Sequence, residues 1–166
     1  MTILRKHGIL LLAAAMVLIG LGAFVLSRGE QTSPSENLAV VDKDLTSQVQ
    51  TSVAATLVGV LSYDFADPGR SEQVADDKLA GEARKEYDTL VASLREKAAG
   101  QELVLSAQVT ASAVKELSSS KAKLLVFLDQ TSKRAADDEA SVSAAQLSIT
   151  AELVRGDWVV TGLAPL

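Results

Sequence analysis

The chain has 166 residues, 48% of them hydrophobic, and a formal net charge of −5, enough for one domain with appendages. It contains no cysteine, which excludes disulfides, thiol nucleophiles, iron–sulfur clusters and Cys-ligated zinc, and its one histidine, His7, rules out a Ser-His-Asp triad or a His-rich metal centre in the main body. Arg5, Lys6 and Arg28 are the only charged residues before Glu30, so the remainder is more acidic than the whole and is expected to repel nucleic acid.

Residues 1–7 form a short basic end, read as cytoplasmic. Residues 8–26, "GILLLAAAMVLIGLGAFVL", carry no charge. At a rise of 1.5 Å per residue, such a run covers roughly 28 Å, close to the hydrocarbon thickness of a bilayer. The expectation is a transmembrane signal anchor with the rest of the chain extracytoplasmic, and the lipid bilayer as its partner. A cleaved signal peptide is the competing reading; "AFVLSRGE" offers no small-x-small site, and a lipoprotein signal needs a cysteine. Gly20 and Gly22 do not form a GxxxG pair. Residues 27–37, with Pro34, read as a polar linker.

From residue 38 to 166 the pattern is that of a folded domain. Leu38, Val41, Leu45, Val49, Val53, Leu57 and Val60 recur at three- or four-residue spacing, the apolar stripe of a helix that Pro68 and Gly69 end. Asp42, Lys43, Ser47, Gln48 and Gln50 fall on its other face. A second helix is expected over about residues 71–99, capped by Ser71 and lined by Leu79, Ala83, Tyr87, Leu90, Val91, Leu94 and Ala98. Gly100 suits its end.

The period then becomes two. Leu103, Leu105, Ala107, Val109, Ala111 and Ala113 share one side of a strand. After the turn "LSSSK", the run "KLLVFLDQ" reads as a central strand buried on both faces. Residues 131–140 read as an exposed loop. A third strand places Ala145, Leu147, Ile149, Ala151 and Leu153 on one face, and "DWVVTGL" is the last strand, ended by Pro165. Helices grouped before about four antiparallel strands make an α+β domain, two helices packed on a curved sheet.

Four stretches in this order, the apolar run, "VLSYDFADP", "LLVFLDQ" and "GDWVVTGLAPL", resemble the actinobacterial Mce-associated membrane proteins. The resemblance spans essentially the whole chain. It implies an extracytoplasmic domain like nuclear transport factor 2 and similar to VirB8 of type IV secretion. It also implies a non-catalytic accessory role in assembling or stabilising an Mce-type lipid importer, with Mce transporter components as partners and no cofactor.

Tyr63, Asp64 and Asp67 sit at the helix-to-helix corner. Enzymes on related cone-shaped folds use Tyr and Asp for proton transfer, but carboxylates beside Pro-Gly are turn formers first. Asp129 and Gln130 close the most apolar strand, where a carboxylate can meet solvent or a partner's cation. Tyr63, Asp64, Asp67 and Asp129 are the candidate partner contacts. Lys121, Lys123, Lys133 and Arg134 flank the central hairpin and, with Asp137, Asp138 and Glu139 after them, read as a mixed solvated loop and not an anion site. Ala107, Ala111, Ala113, Ala145 and Ala151 either leave room for a lipid tail or let helices sit close to the sheet. Arg155-Gly156-Asp157 has the letters of an adhesion signal and reads more simply as a hairpin corner before Trp158, a structural anchor. Two other functions stay open: a VirB8-like scaffold of a secretion or conjugation channel, and a lipid-binding or enzymatic domain of the same fold.

Overall fold

Among the described residues, patterning of period 3.6 and then period 2 becomes three helices followed by four long strands, with one short strand between the first two helices. The computed structural model describes residues 37–39, 42–98, 101–134 and 140–166. The expected cytoplasmic end, anchor and linker through residue 36, together with His7 and Val41, lie outside them. Among the described residues no helix is long and apolar enough to cross a membrane.

Helix α1 spans Lys43–Leu61. It starts where Asp42 accepts a hydrogen bond from the Leu45 N–H at 2.8 Å, satisfying one of the free donors of the first turn. Its stripe of Val49, Val53, Leu57 and Val60 is buried as the spacing predicts. Ser62 turns extended, and a two-residue strand β1, Tyr63–Asp64, follows. This strand is a fifth one that the sequence pattern does not announce, because two residues carry no period.

The single second helix expected over residues 71–99 is two helices. Helix α2 spans Gly69–Lys78 and α3 spans Gly81–Ala98. At the break, Leu79 is extended and bridges Val160, and the Ala80 N–H donates to the Val160 carbonyl at 2.9 Å. Gly81 then takes φ +58°, a value that side-chain-bearing residues resist. The break is a tertiary effect: it buries Leu79 and ties the helical layer to the sheet. Ser71 is not a cap; it lies inside α2, buried, and its Oγ accepts from the Tyr87 hydroxyl at 3.2 Å.

The sheet runs β1-β2-β3-β4-β5, all antiparallel, with β2 at Val104–Leu117, β3 at Lys121–Lys133, β4 at Ser141–Val154 and β5 at Asp157–Pro165. β3 thus extends into the expected loop as far as Lys133. Its inward row of Ala122, Leu124, Val126 and Leu128 joins Leu147, Ile149, Ala151, Trp158 and Val160 in the core beneath the helices. The expected single apolar face of β2 holds only in its first half. A register shift between Val109 and Ala111 moves Ala111 and Ala113 outward, so that Val114 packs on the core instead, and a second shift between Val114 and Glu116 turns Leu117 back inward. Such bulges bend a strand and raise its local twist.

Candidate functional site

Exposed strand edges invite pairing with other chains, so the edges of this sheet are the first place to look for function. Only the first residues of β2 pair with β1. Beyond them, polar side chains close the edge. The Ala107 N–H donates to Ser62 Oγ at 3.1 Å, and Gln50 Nε2 donates to the Ser112 carbonyl at 3.0 Å. Asn37 donates to the Lys115 carbonyl at 2.8 Å and accepts from the Leu117 N–H at 3.0 Å. On the far edge, the α2–α3 break occupies Val160. Gln50, which the periodicity assigns to a solvated helix face, therefore reaches the sheet. Asn37 and Ser62 are further structural residues that pattern reading misses, since one polar residue per contact leaves no period to detect.

The corner residues are separated by role. Tyr63 is half-buried and stands opposite Leu105. Asp64 accepts from the Ala66 N–H at 2.9 Å, and the Asp64 carbonyl accepts from the Asp67 N–H at 3.1 Å. The Asp67 carbonyl is in turn 3.4 Å from the Arg70 N–H at the start of α2. Both residues are exposed, and the turn is built by the Asp64 carboxylate and the Asp67 backbone. Asp129 is elsewhere: it lies on β3 opposite Gln108 and Ala144, four residues from Lys133, which shares a rung with Val104 and through it with Asp64. The structure does not bring Asp129 to Tyr63, Asp64 and Asp67. Its neighbour Gln130 points the other way and donates to the Leu61 carbonyl at 3.0 Å.

Among the described residues no group of three or more His, Asp or Glu side chains could hold a metal ion. The strongest ionic feature is on the helical layer. Arg84 binds Asp76 and, at 2.9 Å, Asp88. The hydrogen bond to Asp76 leads in raising the guanidinium pKa above its usual value, with Asp88 adding to it. That ties α2 to α3 and keeps a charge that arginine already holds at all accessible pH.

The outward face of the sheet has a different chemistry. β3 presents Lys123, Leu125, Phe127 and Asp129 to this side. Around them are the exposed Ala111 and Ala113 of β2, Gln146 and Ser148 of β4, and Ala164 of β5. "KLLVFLDQ" is thus buried on one face and only half-buried at Leu125 and Phe127 on the other, which corrects the expectation of a strand covered on both sides. Lys121 and Lys123 are strand residues and not part of a loop, paired with Glu152 at 3.0 Å and Glu116 at 3.1 Å.

The last hairpin settles the Arg155-Gly156-Asp157 triplet locally. Val154 pairs with Asp157, leaving Arg155 and Gly156 as a two-residue turn with φ +55° and +94°. Both positive values fit the type I′ turn that matches the strand twist. Asp157 is the first residue of β5, not a central turn residue, and its carboxylate meets Lys78 at 3.0 Å. Trp158 beside it is buried under the helices.

A meander sheet with three helices on one face is also the arrangement found in solved structures. CagV, a VirB8 homolog of the type IV secretion system of Helicobacter pylori, matches with TM-score 0.57 and 8% identity, over 72% of this chain and 96% of that one. VirB8 of Agrobacterium tumefaciens matches with TM-score 0.57 and 14% identity, over 72% and 90%. The domain has a VirB8-like fold. A periplasmic fragment of TraM shares it at TM-score 0.53 and 12% identity, over 72% and 96%. In sequence, uncharacterized proteins from two strains of Mycobacterium tuberculosis are 30% identical over 110 residues, 66% of this chain. The chain spans about half the length of these curated relatives, 50%. No protein-family model matches it.

Proposed function

We propose that this chain is a non-catalytic, membrane-anchored accessory subunit whose VirB8-like domain lies outside the cytoplasm and assembles or stabilises an Mce-type lipid importer. The observation that carries the reading is the pairing of a VirB8-like domain with an uncharged run at residues 8–26 that is long enough to span a bilayer. The four ordered stretches that resemble Mce-associated proteins support the lipid-import assignment. The corner carboxylates support a non-catalytic role, because Asp64 and Asp67 serve a turn and stand apart from Asp129. Affinity isolation of the full chain from detergent-solubilised native membranes tests this. Mce and permease components should come with it; recovery of the chain without either would overturn the reading.

The second reading is a scaffold subunit of a secretion or conjugation channel. It is favoured by the likeness in fold to CagV, a VirB8 homolog of a type IV secretion system, to VirB8 itself and to a periplasmic fragment of TraM. The same isolation separates the two, since transfer ATPases or channel subunits in place of importer components would select the scaffold.

A further inference from the structure

The outward row of β3 reads Lys123, Leu125, Phe127, Asp129: one cation, two apolar side chains, one anion. That row is self-complementary when two copies run antiparallel. We propose that this face docks a second copy of the chain about a two-fold axis lying between the two sheets, across β3 at the level of Val126. Lys123 then lies over Asp129 of the second copy, and Leu125 lies over Phe127 of the second copy. Every contact occurs twice, as an isologous interface requires.

Three features of the face support this occupant. An axis along the strands would set Lys123 over Lys123 and Asp129 over Asp129, so the charges select the antiparallel arrangement. The neighbouring rungs are small, with Ala111 opposite Phe127 and with Ala113 and Ser148 flanking Leu125. Small side chains there let the larger ones interdigitate at the roughly 10 Å separation of packed sheets. Finally, Lys123 uses its exposed bridge to Glu116, at 3.1 Å, for one donor, and an ammonium has three. An anionic lipid surface fits the face less well, because Asp129 stands at one end of the apolar pair.

With strand spacing near 4.8 Å and a rise near 3.4 Å per residue, the face projects an area on the order of 500 Å² per copy. That is at the low end for specific interfaces, so the dimer is expected to dissociate at roughly micromolar concentration. The inference does not rest on the importer assignment.

The test is sedimentation velocity of the full chain in detergent over a concentration series to roughly a hundred micromolar, well above that expected value. The wild-type chain should shift from monomer to dimer. Asp129→Lys alone and Lys123→Asp alone should each weaken the dimer about tenfold or more, because each sets like charges face to face twice. An equimolar mixture of the two variants should regain it, since every facing pair is then opposite in charge, and that recovery also shows that both variants fold. Phe127→Ser should weaken the dimer without any charge change. A wild-type chain that stays monomeric throughout overturns the proposal. So does a dimer indifferent to these substitutions, a mixture that regains nothing, or a monomeric chain that loses a foreign co-purifying protein when Asp129 is reversed.

Discussion

The two faces of β3 come from one apolar run, yet they have opposite fates. Ala122, Leu124, Val126 and Leu128 are sealed under α1 and the break between α2 and α3. Lys123, Leu125, Phe127 and Asp129, alternating with them, stay on the outside of the sheet. The lesson is that hydrophobicity alone does not mark a core position in this strand. The helical layer makes one face the core, and it leaves Leu125 and Phe127, bracketed by Lys123 and Asp129, on the uncovered side.

The largest expected effects come from breaking the sealed face. Trp158→Ala should lower stability by roughly 3–5 kcal/mol, because the indole is buried against the helices and leaves a large cavity. Chemical denaturation followed by circular dichroism measures it. The sharper contrast is between neighbours. Leu124→Ala should cost about 2–5 kcal/mol, whereas Leu125→Ala, one residue along on the outward side, should cost about 1 kcal/mol in the monomer. Equal losses would mean that the two faces are not different in the way described.

A smaller effect belongs to the edge that joins the faces. Gln50→Ala removes the donor to the Ser112 carbonyl and should cost about 1 kcal/mol. Amide exchange on β2 reads the local loosening. At the far hairpin the sign reverses. Arg155 sits at φ +55°, where asparagine is more at ease, so Arg155→Asn should raise stability by about 0.5 kcal/mol. The smallest change is expected for Lys78→Ala, which opens an exposed ion pair with Asp157 and should change stability by less than about 0.5 kcal/mol, as thermal denaturation will read.

Much of this architecture is legible in the chain. The three- and four-residue spacing of Val49, Val53, Leu57 and Val60 gives α1 and its buried stripe, and the alternation of Leu147, Ile149 and Ala151 gives β4 and its inward face. The last hairpin is also readable but one residue out of place: Gly156 and Asp157 are the expected turn residues, and the turn is Arg155 and Gly156. The candidate site was less legible. Tyr63, Asp64 and Asp67 are close in sequence and form one corner, but Asp129 joins another surface because strand alternation carries it to the outward face. Gln50 and Asn37 close the β2 edge across separations of 62 and 78 residues, and local periodicity contains no information at that range.

The sequence by itself determined the α+β class, the order of helices before strands and most of the inward rows, because those follow from local period and turn residues. Only the tertiary structure decided three things. It split the second helix at Leu79, where burial and the Val160 bridge outweigh helical continuity. It moved Ala111 and Ala113 outward through the bulge after Val109, which a count of alternating residues does not foresee. It also gave the run around Leu125 and Phe127 a single covered face, because whether an apolar strand is buried once or twice depends on how many layers pack against it.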